Sequence, residues 1–380
     1  MKKLTDICDI QYGYAFDAKY FTEDSSYPQL VRIRDVKKGY SETYYSGDYS
    51  EEYILAEGDL LVGMDGEFNI AKWKCSGALL NQRVCKLTAK VGTNEEYLRF
   101  AMSKSLKEIE QRTAFVTVKH LSAKELNKLE LDVPELSKQD KIADTLSRLE
   151  RVMEARKEEL EKLDDLIKAR FVEMFGSIHN GRFDMKTLPE IVNDDKNSIK
   201  RGPFGGALKK DDFVEDGYLV YEQRHAIHND FEYAKYYITQ KKYEDMIGFK
   251  VIPGDLIISC SGVTLGRIAE VPEGAKEGII NQALLKLSLN PEVMLNTFFI
   301  QQFRGEEIQE ILFGFSRGSG IPNMPSMSEV KAVKFICPPL ELQKQYCDFV
   351  HQVDKSKVAV QKALDETKLL FDSLMQQYFG

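Results

Sequence analysis

The side chains that could do chemistry in this chain are suited to binding, because the sequence holds no catalytic constellation. The phosphate-binding GxxxxGK(S/T), the zinc-binding HExxH, the nucleophile motif GxSxG and the Asn-Pro-Pro-aromatic tetrapeptide of amino-methylating DNA enzymes are all missing. The GPFGG run at Gly202 lacks the following Lys and Ser or Thr that would open a phosphate-binding helix. His225 and His228 are three residues apart but have no third metal ligand nearby in the sequence. The sequence therefore predicts no catalysis, metal or cofactor on this chain.

Loops instead carry side chains that hydrogen-bond to nucleic-acid bases and phosphates. Arginine pairs well with guanine and asparagine with adenine, while lysine and serine often contact phosphates. The first half of the chain supplies the candidates Arg32, Arg34, Lys72, Lys74, Lys119 and His120. The second half supplies Lys200, Arg201, Lys209, Lys210, Arg224, His225, Arg267, Arg317, Ser319 and Asn323. The last three are the strongest, because glycines around them let backbone approach a ligand closely. The alternative for every candidate is a solvated surface charge.

Composition restricts how such contacts would be made. The 380 residues are 43% hydrophobic, enough for two or three domains, and carry a net charge of -8. This charge counts against coating of nucleic acid by bulk electrostatics, so any contact must be local, and in a larger assembly partners can supply further phosphate contacts. No segment is apolar enough for a membrane span and the start lacks a signal-peptide core, so we expect a cytoplasmic protein. The six cysteines form no CxxC pair, which predicts reduced thiols.

The sequence repeats itself, and the repeat organises the whole chain. GDLLVGMDG at Gly58 returns as GDLIISCSG at Gly254, 196 positions later. NQRVCKL at Asn81 returns as NQALLKL at Asn281, 200 positions later. A Pro-rich step with a Gln returns further on, and the offset reaches 204 at the two Phe-Gly pairs that close the repeats. This drift indicates one scaffold used twice with loops of different length.

Each repeat begins with a strand-rich part. Short β-branched or aromatic runs bounded by turn residues predict strands, and these runs are YPQLVRI, YILAEGDLLVG, RVCKLTA, YLVYEQ, KVIPGDLIIS and ALLKLSL. Further helices are predicted near 95–111 and 291–311. The Gly-Asp pairs at Gly58 and Gly254 predict turns into buried strands, and Asn81 and Asn281 are expected to fix the local backbone. The fold class is therefore α+β.

A long helix ends each repeat. The first, from about Ser137 to Phe175, has no Gly or Pro and would measure roughly 57 Å. Its apolar residues follow the 4,3 spacing of a coiled-coil seam, with Arg156 and Arg170 as interruptions: Ile142, Leu146, Leu149, Met153, Leu160, Leu163, Ile167 and Met174. The last helix has the same phase, with Lys357 and Thr367 as interruptions: Tyr346, Val350, Val353, Val360, Leu364, Phe371, Leu374 and Tyr378.

Two matched seams in one chain predict that the long helices form an antiparallel coiled coil. The two globular parts would then lie at opposite ends of a dumbbell with approximate two-fold symmetry. Such a molecule would suit a DNA target in two parts, because the helices would act as a ruler between them. The alternative is that each helix packs against its own globular part.

In combination these features resemble the specificity subunits of type I restriction-modification systems. The resemblance covers essentially the whole chain and depends on order and duplication, since no single motif is specific. It includes the repeated GDL followed by a Gly, the repeated NQ, and the Pro-rich step with Gln139 or Gln343 before each long helix. The loop RGSGIPNM, with its degenerate counterpart TAFVTVKHL, is a further match. The first repeat departs from the pattern there, because Phe115, Val116 and Thr117 replace the glycines.

The resemblance implies that residues 1–135 and 178–337 are target recognition domains and that 136–177 and 338–380 are spacer helices. Each domain would read one half of a bipartite site in double-stranded DNA. The helices would bind two methylation subunits that methylate adenine with S-adenosylmethionine, and restriction subunits that use ATP would join them. All catalysis and all cofactors would belong to those partners.

Two readings from other classes remain open at the level of sequence. The acidic charge is compatible with a coiled-coil scaffold that carries two protein-binding heads and never touches DNA. An enzyme of unknown class is the second reading.

Overall fold

The computed structural model describes residues 1–112, 120–177, 181–314 and 322–380. These residues divide into two units. Unit 1 consists of Met1–Glu158 together with Gln361–Gly380, and unit 2 consists of Glu159–Val360. Each long helix contributes residues to both units.

Unit 1 contains eleven strands and the beginning of a long helix among its described residues. The strands are β1 Lys2–Lys3, β2 Cys8–Tyr12, β3 Phe21–Thr22, β4 Leu30–Val31, β5 Tyr44–Tyr45, β6 Ile54–Leu55, β7 Leu60–Gly63, β8 Asn69–Lys72, β9 Ala78–Leu80, β10 Val84–Ala89 and β11 Glu130–Leu131. The helices are α1 Leu4–Ile7, α2 Glu95–Arg112, α3 Ala123–Lys128 and α4 Leu136–Phe175. Short 3-10 turns cover Ala18–Tyr20, Ile33–Asp35 and Glu51–Tyr53.

Two larger sheets form the centre of the globular part of unit 1, and β1 with β11 and β3 with β5 form separate two-stranded sheets. The larger is antiparallel, with strand order β2-β10-β7-β8. The second has the order β4-β9-β6 and includes the parallel pair β4 and β9. One face of the larger sheet packs with α2 and with the start of α4 in a core that includes Leu60, Phe100 and Leu146.

Unit 2 repeats this set and adds elements to it. Its strands are β12 Met185–Thr187, β13 Ile199–Arg201, β14 Phe213–Val214, β15 Tyr218–Tyr221, β16 Tyr237–Ile238, β17 Lys250–Val251, β18 Leu256–Ser259, β19 Ile268–Glu270, β20 Gly278–Ile280, β21 Leu284–Leu287 and β22 Lys334–Ile336. Its helices are α5 Leu188–Ile191, α6 Gln223–His228, α7 Gln240–Asp245, α8 Asn296–Arg304, α9 Glu306–Phe313, α10 Met327–Ala332 and α11 Leu340–Phe379. The 3-10 turns are Lys210–Asp212 and Ile247–Phe249.

The sheets of unit 2 have the same connectivity as those of unit 1. The order β13-β21-β18-β19 corresponds to β2-β10-β7-β8, strand for strand. The parallel pair β15 and β20 corresponds to β4 and β9, and β14 and β16 extend this second sheet to five strands. The internal repeat predicted from sequence is therefore a repeat of structure.

The Gly-Asp pairs make the predicted turns into buried strands. Gly58 and Gly254 have φ of +94° and +85°, in the left-handed region that glycine adopts without a Cβ clash. The carboxylate that follows each glycine caps the turn, since Asp59 accepts a hydrogen bond from Ala56 N at 2.8 Å and Asp255 one from Ile252 N at 3.0 Å. The turns also explain why the two longest predicted strand runs each appear as two separate strands.

Some predicted elements are shorter than expected. Of YPQLVRI only Leu30–Val31 is a strand, because the chain then enters a 3-10 turn. The helix predicted near 291–311 is two helices, α8 and α9, which are separated at Gly305 by an extended backbone with φ of -61° and ψ of 143°.

The long helices pack through the predicted seam. In unit 2, α4 and α11 run antiparallel: Lys357 Nζ lies 2.5 Å from Asp164 Oδ1, and Tyr346 OH donates to the carbonyl of Ile167 at 3.2 Å. In unit 1 the end of α11 joins the core that holds the start of α4, with Phe371 and Phe379 against α2. The seam residues contact both the other long helix and the globular part of the same unit. The predicted coiled coil and its alternative, packing of each helix against a globular part, are therefore both present.

A buried glutamine anchors the start of each long helix. Gln343 is fully buried; its Oε1 accepts from Leu295 N at 2.9 Å, and its Nε2 donates to the carbonyls of Val293 and Pro338 at 3.0 and 2.9 Å. Gln139 does the same in unit 1, with Asn94 N, Gly92 O and Pro134 O as partners. The glutamine of the Pro-rich step thus ties α4 to the loop before α2, and α11 to the loop before α8.

No helix in the described part of the chain is both long and apolar enough to span a membrane.

Candidate nucleic-acid interface

The candidate interface is one end of the four-stranded sheet in each unit, called here the loop end. In unit 1 it is the end where β2 and β7 finish and β8 and β10 begin. In unit 2 it is the end where β13 and β18 finish and β19 and β21 begin. The strands that meet at the loop end are held by backbone hydrogen bonds, and β7, β18 and β21 are fully buried, so the side chains that follow them are presented on a rigid support.

A charged network occupies the loop end of unit 1. Asp65, two residues after β7, accepts from Arg83 Nη1 and contacts Nδ1 of His120 through its other oxygen. Burial acts to raise the pKa of Asp65, but the hydrogen bonds from His120 and Arg83 outweigh it and hold that pKa below its usual value. Asp65 is therefore an anion at neutral pH that orients two exposed side chains.

Arg32 and Arg34 lie at the same loop end. They flank Ile33 in the 3-10 turn that packs beside Gly63 at the end of β7. Both arginines are exposed, and the nearest carboxylate to Arg34 is Asp35 at 3.8 Å. This turn places two cations next to the charged network.

Lys72 and Lys74 lie at the opposite end of the same sheet, beside the Gly58 turn. Lys72 forms ion pairs with Glu95 and Glu96 at 3.1 and 2.7 Å. Burial acts to lower the pKa of Lys72, but these two carboxylates raise it above its usual value. Because its charge is neutralised within the unit, Lys72 is poorly suited to a phosphate contact.

The loop end of unit 2 gathers three of the predicted residues. Arg201 ends β13, Arg267 immediately precedes β19, and Asn323 forms a single β-bridge with Ser261 just after β18. Arg267 and Asn323 are exposed, whereas Arg201 is half-buried with its guanidinium 5.8 Å from the ring of Phe204. Among the described residues neither arginine has a carboxylate within ion-pair distance.

Helix α6 adds further polar groups near this loop end. Gln223 Nε2 donates to Ser261 Oγ at 2.8 Å, which ties the helix to the end of β18. The next residue, Arg224, is exposed, with its guanidinium 4.4 Å from the ring of Tyr233 and 3.6 Å from Asp230. Lys209 and Lys210 are exposed in the loop that follows β13, whereas Lys200, on β13 itself, is half-buried with Nζ 4.8 Å from the ring of Phe249.

His225, predicted as a DNA contact, is instead a structural residue. Its side chain is fully buried. Nδ1 meets the backbone of Glu222, accepting from its N at 2.9 Å, and Nε2 lies 2.9 Å from the carbonyl of Tyr233. A ring whose two nitrogens are both engaged in the core has no face left for DNA.

Three candidates fall outside the described residues. These are Lys119, Arg317 and Ser319, and the substituted segment Phe115, Val116, Thr117 lies outside them as well.

The two loop ends share a backbone frame. Gly13 N and Gly202 N donate to the carbonyls of Val84 and Leu284 at 3.0 and 2.8 Å. Each frame then closes on the residue after β7 or β18: Leu121 N donates to Met64 O at 2.7 Å, and Met324 N donates to Cys260 O at 2.8 Å. Asn81 and Asn281 hold the adjoining turn by accepting backbone N–H bonds, as predicted.

The side chains carried by this shared frame differ. Asp65, Arg83 and His120 in unit 1 take the places of Ser261, Ala283 and Asn323 in unit 2. Asp65, Arg83, Ser261 and Gln223 also lie at the loop ends but were not predicted from the sequence. The available signal was the repeat itself, since MDG against CSG and NQR against NQA mark positions where two copies of one scaffold carry different side chains.

No cluster of three or more His, Cys, Asp or Glu side chains that could hold a metal ion is found among the described residues. The groups at the loop ends are hydrogen-bond donors and acceptors on rigid strands, which is what recognition of base edges and phosphates requires.

Comparison with known proteins agrees with this geometry. The family model for the type I restriction modification DNA specificity domain matches residues 1–163 and 203–367. The type I restriction enzyme EcoBI specificity subunit of Escherichia coli is 27% identical, over 99% of this chain and 84% of the relative.

Two solved structures share the fold. The type I restriction-modification S subunit from M. genitalium is 16% identical with a TM-score of 0.57, covering 100% of this chain and 95% of that one. A chain from a structure on complex assembly and conformational transition of the type I R-M system is 17% identical, also with a TM-score of 0.57, covering 100% and 96%. With the family model matched in both repeats, the chain belongs to the type I restriction-modification DNA specificity family, whose members are non-catalytic subunits that recognise DNA.

Proposed function

We propose that each unit reads one half of a bipartite target in double-stranded DNA through its loop end. The observation that carries the proposal is the shared backbone frame with different side chains: one recognition scaffold, used twice, for two different half-sites. Recognition loops would enter the major groove, where every base pair presents a distinct pattern of donors and acceptors. Accordingly, residues 1–135 and 178–337 would act as recognition domains, and 136–177 and 338–380 as spacer helices.

The proposed contact residues are those at or near the loop ends. In unit 1 they are Arg32, Arg34 and His120. In unit 2 they are Arg201, Lys209, Lys210, Arg224, Arg267 and Asn323. Lys119, Arg317 and Ser319 stay in the proposal on the sequence alone. Cations with no carboxylate partner among the described residues, such as Arg201 and Arg267, are suited to contact phosphates despite the net charge of -8. Partner subunits would supply the remaining phosphate contacts.

The helices would recruit two methylation subunits. Leu166 on α4 and Leu370 on α11 occupy the same position of the repeat, one in each unit, and their side chains are 46% and 50% exposed. Val358 and Leu369 add exposed apolar surface to α11. Apolar side chains on the outside of a helix pair favour a protein partner, and their duplication favours two copies. Restriction subunits would join this complex in the cytoplasm, and S-adenosylmethionine and ATP would be bound by the partners.

The test is to co-express the chain with its methylation subunit and to map adenine methylation across the host genome. A new motif in two parts with a fixed gap is the expected result. If a stable complex with an active methylation subunit produced no new motif, the proposal would be wrong and a scaffold that binds only proteins would replace it.

A further inference from the structure

We propose that Arg83 reads a guanine in the half-site of unit 1, and that Asp65 is the residue that positions it. This inference rests on the proposed function and assigns a base to one side chain of the recognition surface. Neither residue stands out in the sequence, because Arg83 follows a duplicated Asn-Gln pair and Asp65 directly precedes the turn residue Gly66.

The first support is where Arg83 is held. It follows Asn81 and Gln82 in the turn before β10, and its carbonyl accepts from Met64 N at 2.9 Å, so its backbone is fixed to the end of β7. Its φ is +67°, a left-handed conformation that is unfavourable for a residue with a Cβ. Such conformations persist where surrounding structure enforces them, and they are concentrated at functional sites.

The second support is the way the guanidinium is used. Nη1 donates to Asp65, which is itself held by His120. Among the described residues, Nε and Nη2 of Arg83 have no hydrogen-bond partner, and its side chain is 53% exposed. One side of the planar group is therefore anchored, while two further donors remain available in a fixed orientation. Guanine presents O6 and N7 in the major groove as a matching pair of acceptors.

The third support is the charge of the pair. Asp65 neutralises Arg83, so the pair has little net attraction for a phosphate, whereas its directed donors are unaffected. Among the described residues, Arg34 has only Asp35 at 3.8 Å and Arg32 has no carboxylate within ion-pair distance, so these two arginines are better suited to the phosphate backbone. A neutral Asp65–Arg83 pair beside these cations indicates that Arg83 contacts a base rather than a phosphate.

The fourth support is the comparison between the units. Unit 2 has Ser261 and Ala283 at the positions of Asp65 and Arg83, with the same backbone hydrogen bond, here Cys260 N to Ala283 O at 2.9 Å. The pair is therefore not needed to build the frame. The Asp65–Arg83 pair therefore serves recognition of one half-site only.

The experiment uses the complex with the methylation subunit and compares Arg83→Ala, Arg83→Lys and Asp65→Asn with the unaltered chain. Arg83→Ala should lose about 5- to 150-fold of the discrimination at one G·C position of one half-site, with the other half-site unchanged. Arg83→Lys should lose most of this discrimination too, since lysine keeps the charge but lacks the planar fork. Asp65→Asn should weaken discrimination at the same position, because an amide anchors the guanidinium less strongly.

Lys72→Ala is the matched control, because it removes an ion-paired cation from the opposite end of the same sheet. It should leave the methylated motif unchanged. Thermal unfolding of each purified complex separates a folding defect from a loss of reading. Binding of Arg83→Ala should keep the salt dependence of the unaltered chain, whereas loss of a phosphate contact lowers that slope by about one.

An unchanged motif in Arg83→Ala, relaxation at an A·T position, or uniform weakening at all positions would each overturn the inference. Retained discrimination in Asp65→Asn would overturn the positioning role alone. If the unaltered complex produced no bipartite motif, the proposed function would fail instead, so the two failures are distinguishable.

Discussion

The buried glutamine at the start of α11 should be essential for the stability of unit 2, and Gln343→Leu tests this. Leucine has a similar volume and fills the site, so the substitution removes the amide with little change in packing. It deprives Leu295 N and the carbonyls of Val293 and Pro338 of their hydrogen bonds, which measure 2.9, 3.0 and 2.9 Å.

The magnitude follows from which groups lose their partner. Val293 O keeps a contact with the thiol of Cys337 at 3.5 Å, so Leu295 N and Pro338 O bear most of the loss. A buried backbone group without a partner costs about 1–3 kcal/mol, and the gain from burying leucine offsets part of this. We therefore expect the free energy of unfolding to fall by about 3 kcal/mol. For a unit of this size that lowers Tm by roughly 6–12 °C.

The assay is thermal unfolding of the purified chain followed by circular dichroism. Gln352→Leu, an exposed position on the same helix, is the matched control and should shift Tm by less than about 2 °C. Gln139→Leu should reproduce the effect in unit 1, because Gln139 makes the equivalent three bonds. If Gln343→Leu melted like Gln352→Leu, the argument that this amide secures the helix start would be refuted.

Three further predictions concern the turns, the charges and the helices. Gly202→Ala should lower the free energy of unfolding by about 3 kcal/mol, because a Cβ there would lie 1.8 Å from Asn281 O. The Cβ of Gly206→Ala would meet only the flexible end of Lys209, so this control variant should be tolerated. Equal melting temperatures of the two variants would contradict this prediction. Burial acts to raise the pKa of Glu96, but Lys72 and Arg99 outweigh it and lower that pKa overall. Glu96 therefore stabilises the fold above its ordinary pKa of 4.5, and this contribution is lost as pH falls through the pKa of the folded state. The difference in stability between the unaltered chain and Glu96→Gln should shrink on acidification, and a constant difference would contradict the direction of the pKa shift. Removing one heptad from both α4 and α11 shortens each helix by about 10 Å, which is close to the length of three base pairs. The gap of the methylated motif should shorten by about three base pairs while both half-sites stay the same. Altered half-sites would show that the helices do not set the gap.

The parts of the fold that depend on short stretches of sequence could be predicted from the sequence. The repeat, the helix seams and the Gly-Asp turns depend on periodicity or on the backbone freedom of a single residue, which short stretches specify by themselves. Seam residues such as Leu146 and Val350 are buried as the 4,3 spacing predicted. Element ends were less accurate, because where a strand stops depends on its neighbour in the sheet, as the two-residue strand Leu30–Val31 shows.

The candidate interface depended on tertiary structure, because burial and ion pairing are decided by residues far apart in the chain. Sequence reasoning could identify cations but not their surroundings, so it treated the neutralised Lys72 and the exposed Arg267 alike. It also included His225, whose ring becomes part of the core only once Glu222 and Tyr233 fold around it. Asp65, Arg83 and His120 meet because three separate strand ends and loops converge on one end of a sheet. The sequence by itself determined that one scaffold is used twice; the folded chain determined which side chains each copy presents.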